Sequence, residues 1–124
     1  MKISCGTDII EIKRIRESIE ELGTKFLERV YTDKEIQYCE SKNNQKYQHY
    51  AARFAAKEAV FKAISRKLKN KYEIGWKDME VINDENGRPY AHLQNINIQE
   101  IEEIDISISH CKEYAIANVV VVWK

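Results

Sequence analysis

Apolar residues recur in two rhythms along this chain, and the change of rhythm orders its elements. Ile3–Ile12 is rich in β-branched residues and predicts a strand. Within it, Gly6 marks either a bulge or a close approach of another group. Asp8 is out of place, because aspartate is depleted in strands. Ile12, Ile15, Ile19 and Leu22 then repeat at helical spacing until Gly23 ends the helix. Thr24 is read as the cap of a short helical piece carrying Phe26, Leu27 and Val30. Thr32, with Glu35 three residues on, has the capping-box pattern and opens another helix with Ile36, Tyr38 and Cys39 as its apolar positions. Ser41–Gln48 is polar and reads as a loop leading into the longest helix, expected from about Gln45 to about Leu68.

The middle of that helix is Arg53-Phe54-Ala55-Ala56-Lys57-Glu58-Ala59-Val60-Phe61-Lys62-Ala63. At about 100° per residue, Phe54, Ala55, Ala59, Val60, Phe61, Ala63 and Ile64 cover most of the circumference, so burial on several sides is expected. Glu58 and Lys62 lie one turn apart on a face shared with Ala51, Ala55 and Phe54. Arg53 and Lys57 form a second pair on the far side. An exposed i,i+4 ion pair is worth only about 0.3–0.5 kcal/mol. In apolar surroundings, however, a charge needs a partner or a metal, so the pair asks for one elsewhere in the chain.

The second half has the rhythm of strands. Residues 67–75 are basic and irregular, a loop. Lys77–Asn83 alternates, with Met79, Val81 and Asn83 on one side and Glu80 and Ile82 on the other. Asp84–Pro89 is a turn whose Asn86-Gly87 is a hairpin signal, and Pro89 opens the return strand to Leu93. Asn95–Glu103 reads as a short helix or a loop. Ile104, Ile106 and Ile108 alternate with Asp105, Ser107 and Ser109 up to His110. After a turn at Cys111–Glu113, Tyr114–Trp123 is a strand, and Val119–Val122 is apolar on both faces. Such a strand belongs in the centre of a sheet or against another subunit. The order β-α-α-α-β-β-β-β points to an α+β fold, with helices grouped in the N-terminal half and packed on an antiparallel sheet.

The 124 residues suit one domain over residues 1–124. Twenty basic residues balance twenty acidic ones, which argues against a general nucleic-acid binder. No apolar run approaches the roughly 18 residues of a membrane span, and Met1–Gly6 has no apolar signal core, so a cytoplasmic location is expected. Cys5, Cys39 and Cys111 lack metal-site spacing and are odd in number, so they read as free thiols and small buried hydrophobes.

Asp8 and Glu58 are the two carboxylates in the most apolar settings. Brought together they would repel unless a cation lay between them. Two carboxylates are too few for a calcium cage but suit Mg²⁺, which keeps waters and takes further ligands from substrate phosphate. Lys62 would then neutralise or protonate a phosphate oxygen. Arg53, Lys57 and the Asn86-Gly87-Arg88 turn are candidates for further phosphate contacts, and His110, at a strand end beside a turn, for a polar site residue. Blander readings stand beside these: Asp8 capping a turn, His110 as a structural histidine, Glu58–Lys62 as a simple helix pair.

Four segments together resemble the holo-[acyl-carrier-protein] synthases of the 4′-phosphopantetheinyl transferase superfamily. They are Gly6-Thr7-Asp8-Ile9-Ile10-Glu11-Ile12 with Arg14, Arg53–Ala59 with Lys62-Ala63, Asn86-Gly87-Arg88-Pro89, and Ser107-Ile108-Ser109-His110 with Tyr114-Ala115. They come in the family's order, and the length fits its small, single-domain type. The resemblance implies transfer of phosphopantetheine from coenzyme A to a serine of apo acyl carrier protein, releasing 3′,5′-ADP, in support of fatty acid biosynthesis. It implies Asp8 and Glu58 as Mg²⁺ ligands and Lys62 on the diphosphate. The base is then a metal-bound water or Glu58. Arg53, His110 and Asn86, Gly87, Arg88 and Pro89 would hold the 3′-phosphate and adenine end of coenzyme A. Members of this size are usually homotrimers with sites between subunits, which fits the apolar Val119–Val122 strand. Because acyl carrier proteins are acidic, a basic patch of Lys13, Arg14 and Arg16, extended by Lys25 and Arg29 around Phe26, would meet the carrier. The chain departs from the family at Ser65-Arg66-Lys67-Leu68-Lys69-Asn70, where a Gly-Thr-Gly-like turn is usual, so the helix is expected to run on.

Two other readings use the same residues. One is a Mg²⁺-dependent hydrolase of nucleotides or phosphate esters working through Asp8 and Glu58. The other is a trimeric, non-enzymatic binder of an acidic partner through the Lys13–Arg29 patch.

Overall fold

The computed structural model describes residues 2–70, 72–95 and 98–124. Strand β1 spans Lys2–Glu11 and runs straight into helix α1, Ile12–Leu22. Helices α2 (Thr24–Val30), α3 (Asp33–Glu40) and α4 (Lys46–Ile64) follow. Strands β2 (Met79–Asn83), β3 (Pro89–Leu93), β4 (Ile101–His110) and β5 (Tyr114–Trp123) complete the described elements. β1, β5 and β4 form an antiparallel sheet in that order, with β5 central, and β2–β3 is a separate hairpin.

The α+β layout follows the apolar pattern. α4 packs against β1 and β5 with Ala55, Ala56, Ala59, Val60, Ala63 and Ile64, meeting Ala117, Val119, Val121 and Trp123 of the sheet. On another side it meets Ile12, Ile15 and Ile19 of α1 and Tyr31 and Cys39 around α3, through Tyr50, Ala51 and Ala52. The helix is thus buried on several sides, as its sequence predicts. The apolar Val119–Val122 run reflects β5's central place, with Val119 and Val121 buried and Val120 on the exposed face.

Gly6 explains how β1 reaches α4. A Cβ there would overlap the Ala59 carbonyl and crowd the Ala63 nitrogen. The β1–β5 register runs unbroken through Gly6↔Val119, so this glycine marks a close approach and not a bulge. Ser4 Oγ donates to Ala63 O at 2.6 Å and accepts from Trp123 Nε1 at 2.8 Å, fastening the same contact.

Several expected boundaries move. Ile12 begins α1 and does not end β1. Gly23, and not Thr24, is the N-cap of α2, and no side chain caps it; with α2 a helix of its own, there are four α-helices where the element order has three. α4 ends at Ile64 and tightens into a 3₁₀ turn over Ser65–Lys67, so it runs on by one turn only. The β2–β3 loop has five residues, Asp84 to Arg88, closed by Gly87 N–H on Asp84 O at 2.9 Å, and only Gly87 has positive φ (79°). The hairpin expected at Asp84–Pro89 is thus present, with Pro89 opening its return strand. Ile101–Glu103, expected in a helix or loop, belongs to β4, and the part of that expectation on residues 96 and 97 lies outside the described residues. Cys39 is buried as expected, whereas Cys5 and Cys111 are exposed; all three are free thiols. Among the described residues no helix is long and apolar enough to cross a membrane.

Candidate active site

Asp8 projects from β1 two residues after Gly6, so it emerges where strand and helix are closest. There it meets α4: Lys62 Nζ lies 3.2 Å from Asp8 Oδ1 and donates to Thr7 O at 2.9 Å. Glu58, one turn before Lys62, is half-buried. Burial first, and the Asp8 charge second, push its carboxyl above the ordinary carboxylate range, while Lys62 pulls the other way. The sequence-predicted trio of Asp8, Glu58 and Lys62 is thus brought together, and the partner Glu58–Lys62 asks for is Asp8. Two carboxylates this close together beside a half-exposed lysine fit a divalent cation that takes its other ligands from substrate. Among the described residues there is no group of three or more His, Cys, Asp or Glu placed to hold a metal. A cleft of about 450 Å³ opens beside Glu58, lined by Arg29, Phe61, Tyr72, Ile74, Gly75, Trp76 and Met79.

Arg53 lies elsewhere. It is buried, stacks its guanidinium 4.1 Å over the Tyr38 ring, and donates from Nη2 to Asn83 Oδ1. Among the described residues its buried Nε has no hydrogen-bond partner, and Arg53 lines a small cleft with Lys34, Tyr38, Val81, Ile82 and Asn83. Asn83 Nδ2 donates to Gly87 O at 2.9 Å, so one amide links Arg53 to the 84–88 loop. Arg88 pairs with Asp105 of β4 at 3.2 Å, and Asn86 is exposed on the loop with Pro89 opening β3. His110, exposed at the end of β4, meets His49 of α4 edge-on, ring centroids 5.6 Å apart; His49 meets Tyr38 at 5.5 Å. Burial first, then Arg53, His110 and Lys42, push His49 down to about 4. Arg53, His110 and the loop therefore form a second cluster, joined by Tyr38, His49 and Asn83, which sequence reasoning misses as site residues. Strand alternation places Asn83 beside Met79 and Val81, and helical spacing puts Tyr38 among the apolar positions of its helix.

Lys57 is not available for phosphate. It is fully buried in an ion pair with Glu35 at 2.6 Å. Its ion-pair partner is Glu35 of α3, whereas Arg53 stacks on Tyr38 of the same helix.

The basic patch is divided. Arg14 and Phe26 line one groove with Ile10, Ile15, Ser18 and Phe54, but Glu17 and Glu21 line it too. Lys13 and Arg16 have i,i+4 partners in Glu17 (3.9 Å) and Glu20 (4.0 Å), which also relieves the basic-first order of α1. Lys25 is exposed on α2, and Arg29 lines the Glu58 cleft instead.

Two carboxylates and an ammonium gathered beside a cleft are the makings of a phosphate-handling site on an α+β scaffold. The family model described as the 4′-phosphopantetheinyl transferase superfamily matches residues 4–119, and the chain belongs to that family. It is 44% identical to a holo-[acyl-carrier-protein] synthase of Ruminiclostridium cellulolyticum, covering 98% of this chain and 92% of that protein. A holo-[acyl-carrier-protein] synthase of Protochlamydia amoebophila is 43% identical, covering 94% and 95%. Among solved structures, the Bacillus anthracis holo-(acyl-carrier-protein) synthase in complex with CoA (3′,5′-ADP) is similar at TM-score 0.77 and 37% identity, covering 95% and 94% of the two chains. The Helicobacter pylori enzyme in complex with coenzyme A is similar at TM-score 0.79 and 31% identity, covering 95% and 99%.

Proposed function

We infer that this protein is a holo-[acyl-carrier-protein] synthase. It moves 4′-phosphopantetheine from coenzyme A to a serine hydroxyl of apo acyl carrier protein and releases 3′,5′-ADP, in support of fatty acid biosynthesis. The observation that carries the reading is the apposition of Asp8 with Glu58 and Lys62 across the β1–α4 contact. A hydrolase would use the same trio, but the whole-length likeness to coenzyme A-bound synthases favours transfer.

In the reaction the serine oxygen forms a bond to the phosphorus that carries the pantetheine. The bond from that phosphorus to the bridging diphosphate oxygen breaks, and 3′,5′-ADP leaves with the electron pair. Asp8 and Glu58 would hold Mg²⁺, which when bound offsets the negative charge of the diphosphate. Glu58, beside that place on α4, is the protein carboxylate suited to take the serine proton. Lys62 faces the same place with an ammonium able to stabilise the leaving phosphate. Arg53, His110, Asn86, Gly87, Arg88 and Pro89 hold the 3′-phosphate and adenine end, where the Arg53 guanidinium supplies positive charge at the cleft it lines. The acidic carrier meets Lys13, Arg14, Lys25 and Arg29 around Phe26.

α4 carries Arg53 on the side of Tyr38 and Asn83 and carries Glu58 and Lys62 on the side of Asp8. The two clefts share no lining residue. A homotrimer with sites between subunits would let one protomer's Arg53 cluster serve its neighbour's Asp8 trio. Exposed Ile3, Ile9 and Val120 offer apolar surface for such an assembly. We place the enzyme in the cytoplasm, where its free thiols are stable.

Formation of 3′,5′-ADP from coenzyme A, followed by chromatography, tests the reaction class. It is expected only when apo carrier and Mg²⁺ are both present. Cleavage of coenzyme A without any carrier would favour a hydrolase.

A further inference from the structure

Lys57 and Glu35 form an ion pair with both side chains fully shielded from solvent. The three hydrogens of the ammonium have three acceptors: Glu35 Oε1 at 2.6 Å, Val30 O at 2.7 Å and Trp76 O at 3.0 Å. Glu35 in turn accepts from Thr32 N and from Val81 N, each at 2.8 Å. One buried pair thus ties the end of α2, the start of α3, α4, the turn before β2 and β2 itself.

Stability alone does not explain the lysine. Apolar residues of similar volume usually serve a core as well as a buried ion pair, or better. The capping box of α3 uses Glu35 and Thr32 and has no need of Lys57. Burial pushes the Lys57 ammonium below the ordinary lysine range, with Glu35 opposing, so the site is costly for the charge it holds.

What Lys57 does hold is the cleft beside Glu58, its neighbour in the chain. One wall of that cleft is Arg29, next to Val30. The other is the segment of Ile74, Gly75 and Trp76, whose carbonyl at Trp76 also bonds Lys57. The Trp76 ring is further stacked on Phe54 of α4, centroids 4.9 Å apart. Glu58 lines the same cleft, and the one ammonium beside it bonds the backbone at Val30 and at Trp76.

We propose that Lys57, neutralised by Glu35, is a positioning residue for the transfer: it fixes the Arg29 and Trp76 walls at the spacing in which Glu58 meets the carrier's serine. This rests on the reading of Glu58 as a site carboxylate. Lys57 touches no reactant and acts through the backbone of Val30 and Trp76.

The test is the double variant Lys57→Met with Glu35→Gln. It removes both charges. The new amide keeps a carbonyl oxygen to accept from Val81 or Thr32, while Val30 O and Trp76 O lose their donor. Coenzyme A affinity, thermal unfolding, amide hydrogen exchange and steady-state transfer are measured on the full chain. The expected result is a folded protein with coenzyme A affinity within twofold of wild type, faster exchange over Trp76–Met79, and kcat at least tenfold lower. A folded double variant with kcat within twofold of wild type overturns the proposal. So does a loss explained wholly by a smaller folded fraction. If that pair does not fold, Lys57→Gln with Glu35→Gln, whose amides bond each other, is judged by the same criteria. Glu58→Gln, run in parallel, separates the two claims. If it turns over like wild type, the reading of Glu58 falls. If it is inactive while the double variant is normal, only the positioning role falls.

Discussion

Charge on α4 has a different meaning at each residue, and helical spacing distinguishes the cases only in part. Glu58 and Lys62 are visible in the sequence as charges in an apolar stretch, and Asp8 as a carboxylate in a strand. Their meeting follows from those anomalies together. Lys57 is as anomalous, but spacing joins it to Arg53, because the partner, Glu35, is masked by its other task in the Thr32 capping box. His49 gives no signal, since a histidine in the first turns of a polar helix start looks like surface. Its burial first, and then Arg53, His110 and Lys42, push it down to about 4 from about 6.5 in an unfolded chain. A histidine with depressed proton affinity adds stability above about pH 6.5 that is lost as pH falls toward 4. His49→Phe should therefore lose less of its unfolding temperature than wild type between pH 6.5 and 4. Thermal melts across that range check it, and parallel curves would contradict it.

At the scale of elements, the contact between β1 and α4 sets the site. Ala55, Ala59 and Ala63 give α4 a smooth flank, and Gly6 lets the strand backbone reach it. Alternation and helical period make most elements legible, including the capping box, Gly23 as a stop and Pro89 at a strand start. What they miss are junctions. Ile12 satisfies both rhythms, so the strand reads one residue too long. The β4 start at Ile101 is hidden because its polar neighbours pair with β5 at an edge exposed to water. Gly6→Ala tests the contact. Forcing a methyl against the Ala59 carbonyl should cost about 1–3 kcal/mol of stability. It should also lower transfer more than the folded fraction falls, because Asp8 moves with the strand. Chemical denaturation with activity measured on the folded protein checks this, and wild-type activity in a folded Gly6→Ala protein would contradict it.

At the scale of the whole molecule, the residues that the family motifs bring forward fall into two clusters on different sides of α4. Helical spacing foretells that Arg53 lies across α4 from Glu58 and Lys62, but not that His110 and the 84–88 loop join Arg53, which depends on the neighbours that side of the helix meets. That division is the reason a site between subunits suits this chain. Arg53→Ala and Glu58→Gln should each be nearly inactive alone. Mixed after unfolding and refolding together, they should recover part of the activity, because some sites then draw both intact clusters from different subunits. No recovery in a verified mixed oligomer would place both clusters in one chain's own site.

The most direct measurement is the intact mass of an apo acyl carrier protein after incubation with the enzyme, coenzyme A and Mg²⁺. Wild type should add one phosphopantetheine, and neither wild type with EDTA nor a folded Glu58→Gln protein should add any. An unmodified carrier with folded wild type that binds coenzyme A, or a fully modified one with Glu58→Gln, would contradict it.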